Sequence, residues 1–233
     1  MNAFNAYQPK FVEVPTDNGG LIPEELDKIL ETTPNCKFIY VIPDFQNPTG
    51  RTWSMERRQK FMEVVNKHNL PVLEDNPYGE LRYEGTILPS LKSMDTKGLV
   101  MFLGTFSKIF CPGLRLGWIA AEHSLLSEFV KIKQSADLHT SNFDQGVADA
   151  YMEQYDLDEH VKEIVALYKH RRDLILESME KYFPAGTEWT HPEGGLFLWL
   201  TFPEGVSARK VFNKCIEMKV AGVSVMLLSE PED

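Results

Sequence analysis

Lys108 follows an apolar run, Gly98-Leu-Val-Met-Phe-Leu103, and a hydroxyl cluster, Thr105 and Ser107. It precedes Arg115, which is bracketed by Gly113 and Gly117. An apolar run ending this way predicts a buried strand that delivers its lysine to a loop. A lysine stripped of water there becomes a neutral, nucleophilic amine. Hydroxyls and a guanidinium beside it can hold a dianionic phosphate, the guanidinium through its two-pronged fork. An amine beside a phosphate seat fits a carbonyl cofactor that carries a phosphate, and pyridoxal phosphate (PLP) has both groups. Taken alone, the stretch reads more simply as a strand-end lysine beside a turn.

Two further clusters follow apolar runs. Asn47-Pro48-Thr49-Gly50 comes after Phe38–Ile42, and alone it reads as a turn. Asp75, with Tyr78 three residues on, comes directly after Val72-Leu73, and alone it reads as a cap. Ligands of an open α/β sheet sit outside the carboxyl ends of its strands, which is where all three clusters fall.

The elements that must position them alternate. Phe11–Val14 reads as a short strand, and residues 22–30 as a helix opened by Pro23 and two acidic residues. Lys37–Ile42 is an unbroken apolar run, the pattern of a strand buried on both faces. A helix starting at Ser54 follows, then strands at Pro71–Asp75, Leu99–Leu103 and Leu116–Ala120. Strand, helix, strand at this spacing predicts a mainly parallel sheet covered by helices. From Ser124 the pattern turns helical, over 125–135, 144–155 and 158–182. Thr187–Thr190 and Gly195–Phe202 read as strands, and Ser207–Met218 as a helix capped by Ser207. Tyr151, Tyr155 and Tyr168 recur at helical spacing and read as packing residues.

Composition narrows the function classes. Of 233 residues, 24 are Lys or Arg and 34 are Asp or Glu, a net charge of −10. No basic block appears: Arg57-Arg58 and His170-Arg171-Arg172 are short and read as solvated helix faces. Nucleic-acid binding, which needs clustered cations, is disfavoured. No apolar run reaches membrane-spanning length, and the first residues lack the order of a signal peptide. Cys36, Cys111 and Cys215 are odd in number and widely spaced, which argues against a disulfide framework or a zinc site and for a reducing cytoplasm. Nothing indicates a metal.

In their order and spacing, Asn47-Pro48-Thr49-Gly50, Asp75 with Tyr78, and Ser107-Lys108 with Pro112-Gly113, Arg115 and Gly117 resemble the fold-type I PLP-dependent aminotransferases of class I/II. Within them the chain is most similar to the branch of 2-aminoadipate, kynurenine and aromatic aminotransferases. The resemblance implies an α/β fold. Residues 1–157 would form a large PLP-binding domain, and 158–233 a linking helix with part of a small α+β C-terminal domain. It implies that Lys108 holds the cofactor as a Schiff base and then shuttles a proton at the substrate Cα. Asp75 would pair with the pyridine nitrogen. Asn47 and Tyr78 would bond the ring's phenolic oxygen, and Thr105, Ser107 and Arg115 the phosphate. The partners implied are an amino acid, a 2-oxo acid and, in a homodimer, a second copy. His191-Pro-Glu-Gly194-Gly195-Leu-Phe197-Leu-Trp199 also resembles a family segment, and its glycines fit either close approach of a substrate carboxylate or edge packing.

The resemblance further implies that the family fold extends beyond this sequence at both ends. Ten residues before Phe11 offer no candidate for the family's first strand, its phosphate-binding helix start or its cofactor-stacking ring. After Met218 there is no arginine for a substrate carboxylate, and the tail from Val220 departs from the family pattern. The chain alone is therefore expected to be an impaired fragment. The alternatives on the same residues are a PLP-dependent carbon–sulfur β-lyase and an aminotransferase-like effector domain of a transcription regulator.

Overall fold

The computed structural model describes residues 2–222, so most of the divergent tail lies outside the described residues. A short 3-10 turn (Asn2–Tyr7) and a two-residue hairpin, β1 (Thr16–Asp17) with β2 (Gly20–Leu21), lead into helix α1 (Pro23–Thr32). Strand β3 (Ile39–Val41), helix α2 (Met55–His68), strand β4 (Val72–Asp75), helix α3 (Leu91–Met94) and strand β5 (Val100–Thr105) then alternate. Strand β6 (Gly117–Ala120) follows. The central sheet runs β3-β4-β5-β6, parallel except for β6, which lies antiparallel to β5. Helices α4 (His123–Ala136), α5 (Asn142–Gln154) and α6 (Leu157–Tyr182) come next. The antiparallel pair β7 (Glu188–Trp189) and β8 (Leu200–Thr201) and helix α7 (Ala208–Glu217) end the described chain.

Local chemistry sets the element bounds. Pro23 sits in the first turn of α1, where a missing N–H costs nothing, and Glu24 and Glu25 face the positive end of the dipole. Ser54 caps α2 by accepting from the Arg57 amide at 3.2 Å, and Asn69 ends that helix in the left-handed conformation. Asp156 caps α6, accepting from the amides of Asp158 and Glu159. Ser207 caps α7 as expected, through the Lys210 amide.

Register assigns the faces of the sheet. Ile39 lies opposite Val72, and Val72 opposite Val100, so Ile39, Val41, Val72, Glu74 and Val100 share one face. All five are buried, beneath Leu26 of α1, Phe61 and Val65 of α2, Leu91 of α3 and Trp53. Each apolar side chain buried this way contributes about 1.5–3 kcal/mol, so this face carries most of the stabilising burial in the sheet. Tyr40, Leu73 and Asp75 point the other way and stay half-exposed.

Four expectations are corrected. Phe11–Val14 forms no strand; Phe11 and Val12 are exposed, and no described strand pairs with them. Strand β3 is buried on one face, not two: its burial alternates because covering helices pack on one side of Ile39–Val41. Of Gly195–Phe202 only Leu200–Thr201 is strand, because residues before it pack as an irregular strap. Arg58 and Arg172 do not face solvent. Arg58 is fully buried and bonds Asp44 at 2.7 Å, the Trp53 carbonyl at 3.2 Å and the Pro89 carbonyl at 3.1 Å. Arg172 bonds Glu84, Asp173 and the Pro192 carbonyl. A guanidinium with five donors can satisfy several loop acceptors at once, which allows a cation inside.

Candidate functional site

The three parallel strands end side by side, and their carboxyl-end loops carry the site. Val41, Glu74 and Phe102 are in register, and the Asn76 amide bonds the Leu103 carbonyl at 3.0 Å. Asp75 therefore stands beside the last residues of β5, and the loops bearing Asn47 and Lys108 leave from the same edge. Because β6 runs antiparallel, its first residue, Gly117, faces Thr105. Arg115, just before it, thus returns to that edge.

Asp75 and Tyr78 are fixed by their surroundings. The Tyr40 hydroxyl, on the adjacent strand, donates to Asp75 Oδ2 at 2.5 Å. Burial, and then this bond, push the Tyr40 phenol well above the usual tyrosine range, so it stays a protonated donor. Tyr78 is 5% exposed, with its ring edge-on to Phe197 at 5.4 Å between centroids. Burial raises the Tyr78 phenol, and the Asn47 side chain beside it pulls the other way. Asn47 itself is exposed at the site edge and precedes a cis bond to Pro48.

The loop after β5 is tied by its own hydroxyls. Thr105 Oγ1 accepts from the Ser107 amide at 3.1 Å and donates to the Leu116 carbonyl at 3.2 Å. Thr105 therefore shapes the turn before offering anything to a ligand. Arg115 is exposed and adopts a left-handed φ of 55°; its Nη1 reaches the Pro112 carbonyl at 3.1 Å and Ser107 Oγ at 3.5 Å. Among the described residues it meets no carboxylate. Lys108, half-buried in the turn, likewise has no ion pair among them. Phe110, two residues on, packs on Tyr151 of α5 at 4.5 Å, and Tyr151 stacks on Tyr155 at 5.1 Å. Two of the tyrosines read as packing residues therefore pack against each other and steady the lysine turn.

The Pro192–Phe197 strap closes the other side. The Gly195 amide bonds the Leu81 carbonyl at 2.8 Å, and the Tyr83 hydroxyl donates to the Gly195 carbonyl. A Cβ on Gly194 would stand 2.3 Å from the Phe45 ring and 2.4 Å from the Leu81 carbonyl, so that position admits only glycine. Of the two uses open to this pair of glycines, their neighbours are those of packing. Gly50, at φ 68°, likewise lies against the Phe197 carbonyl, where a Cβ would come within 2.5 Å.

Two cavities flank these residues. One, about 360 Å³, lies between Gly50–Thr52 and Glu188–Glu193. The other, about 470 Å³, lies between Phe106, Trp118 and the α5 residues Gln145–Asp149. Neither of these two is lined by Asp75, Tyr78 or Lys108. The donor set nevertheless suits PLP. An anchored carboxylate answers a pyridinium, Lys108 and Arg115 with Ser107 answer an aldehyde and a phosphate, and Asn47 with Tyr78 answers a phenolate. Among the described residues no cluster of three metal-ligating side chains occurs, and no helix is long and apolar enough to cross a membrane.

Sequence reasoning missed Tyr40, which it read as one more apolar residue of a buried run. The available signal was parity: Tyr40 and Ile42 alternate with buried Ile39 and Val41, which puts the hydroxyl on the site face.

Comparison with known proteins places the chain in a family. The family description "Aminotransferase class I and II" matches residues 1–231. The chain is 42% identical over 227 residues to an aromatic-amino-acid aminotransferase of Thermococcus litoralis, covering 96% of this chain and 54% of that protein. It superposes with a TM-score of 0.90 on a kynurenine aminotransferase of Pyrococcus horikoshii, at 40% identity, covering 95% of this chain and 56% of the other. It also superposes, at 0.87 and 32% identity, on an α-aminoadipate aminotransferase of Thermus thermophilus solved with a phosphopyridoxyl-leucine adduct, covering 94% and 57%. The chain spans about half the length of the relatives it matches.

Proposed function

The chain belongs to the class I and II aminotransferases, and from that premise we propose that it serves PLP-dependent transfer of an amino group between an amino acid and a 2-oxo acid. The observation that carries this reading is the juxtaposition at one sheet edge of a tyrosine-anchored Asp75 with Lys108 and Arg115, two cations without carboxylate partners among the described residues. PLP, when bound, supplies the electron sink that lets a Cα–H bond of an amino acid break. Lys108 would hold that group through its amine and, once released by the substrate's own amine taking its place, would move the proton at Cα, as base and then as acid. Asp75 keeps a proton on the ring nitrogen. Asn47 and Tyr78 steady the phenolic oxygen. Ser107 and Arg115 bind the phosphate, with Thr105 holding their turn in shape.

Residues 1–157 form the cofactor-binding unit in this reading, and the segment from 158 onward the linking helix and part of a smaller unit. A homodimer is proposed on the strength of uncovered apolar side chains on α4 and α5: Ile132 is 58% exposed and Phe143 78%. Three free cysteines fit a cytoplasmic location. A single sedimenting monomer at micromolar concentration would remove the dimer from the proposal.

Spectroscopic titration of the purified chain with PLP, beside Lys108→Ala, tests the reading. A Lys108-dependent visible band, bleached by an amino acid with release of the 2-oxo acid, is expected. Absence of that band at saturating PLP overturns it, and release of pyruvate with ammonia assigns the β-lyase instead.

A further inference from the structure

The Asp75 carboxylate has one side-chain hydrogen bond among the described residues, and Tyr40 gives it. Tyr40 and Asp75 lie on adjacent parallel strands and on the same face of the sheet, with Tyr40 opposite Leu73. The bond occupies Oδ2, and among the described residues Oδ1 has no partner. On its far side the Tyr40 ring meets Phe4 edge-on at 6.3 Å, so the hydroxyl is backed by packing. The ionisable groups acting on it are Asp75 and Tyr78.

We propose that Tyr40 is a positioning residue, holding Asp75 in one rotamer so that its other oxygen can face a pyridine nitrogen. The assignment rests on the aminotransferase reading above. With one oxygen tied to the Tyr40 hydroxyl, the other is presented in a fixed direction and can accept from a protonated ring. A bare strand-end carboxylate would sample several rotamers, and a charge that wanders stabilises a fixed partner poorly.

Tyr40→Phe keeps the ring and its packing against Phe4 while deleting the hydroxyl. The dissociation constant for PLP is expected to rise roughly tenfold, the range of one hydrogen bond to a charged group. The pH midpoint of the Lys108-dependent visible band is expected to move up by roughly half a unit, because a carboxylate free to turn away supports the ring's positive charge less, and a less positive cofactor keeps its remaining proton to higher pH. A purely structural tyrosine would leave that midpoint in place. The same substitution in an Asp75→Asn background separates the causes: its effect on affinity should vanish there, since Tyr40 acts through the carboxylate. A wild-type band with an unchanged Tyr40→Phe midpoint and affinity overturns the inference alone. So does an equal loss in both backgrounds. No Lys108-dependent band in the wild type removes the aminotransferase reading and the inference together.

Discussion

Glu74 and Asp75 are consecutive carboxylates on one strand, yet they live in different solvents. Glu74 faces the helix-covered side, is 1% exposed, and accepts from the amides of Leu91 and Lys92 at 2.8 Å each. It caps α3 from within the core. Burial pushes its carboxyl up, and the two amides work against that shift. Asp75 is half-exposed on the other face and, among the described residues, is held by Tyr40 alone. Cover decides the use: a carboxylate whose oxygens are both spent on backbone holds the fold, and one with an oxygen to spare can meet a ligand.

That contrast can be broken in three ways. The largest effect is expected on the open side, at Lys108. Lys108→Ala should lower amino-group transfer on the order of 10⁴-fold while leaving the urea midpoint of the apoprotein unchanged. A shifted midpoint would mean that the turn after β5 belongs to the folding core.

The middle test swaps the two carboxylates. Glu74→Ala leaves two amides and a helix start unsatisfied, and should cost about 2–4 kcal/mol in chemical denaturation. Asp75→Asn should cost less than about 0.5 kcal/mol there, yet weaken PLP binding on the order of a hundredfold. Equal stability losses would erase the distinction between the faces.

The smallest effect is a pH slope. A carboxyl with a folded pKa above its unfolded 4.5 binds its proton more readily when folded. Between pH 4.5 and the raised folded value, stability therefore falls as pH rises. Asp95 has the opposite sign. Burial raises it, but the Val100, Leu99 and Lys97 amides and Lys92 hold it below 3.8, so its contribution is present above 3.8 and lost as pH falls. Subtracting Glu74→Gln from wild type across pH 4–7 isolates the first slope, and a flat difference would mean Glu74 titrates normally.

Legibility followed the same division. Strands β4 and β5, helices α1, α2 and α6, and the position of Asn47, Asp75, Lys108 and Arg115 at one edge of the sheet could be read directly, because apolar periodicity and turn chemistry are local signals. Phe11–Val14 misled because short apolar runs carry strand propensity without a partner to pair with. Arg58 and Arg172 were read as solvated because charge predicts exposure unless loop carbonyls and carboxylates converge on the group, and that convergence is tertiary. Tyr40 hid for a related reason: its ring looks apolar in a run, and only the register with β4 reveals where its hydroxyl goes.

Phe45 is clamped, with Arg82 4.9 Å over its ring on one side and the glycines of the strap against it on the other. Asn47 follows two residues later, a tether of at most about 7 Å. The spacing is therefore a ruler. One residue inserted between Phe45 and Asn47 would displace the amide by roughly 3.5 Å, more than any hydrogen bond can absorb. Loops such as that around Gly205, with open space on every side, have no such gauge to keep. Length variation among sequences built on this fold should therefore gather at the second kind of place and be missing from the first.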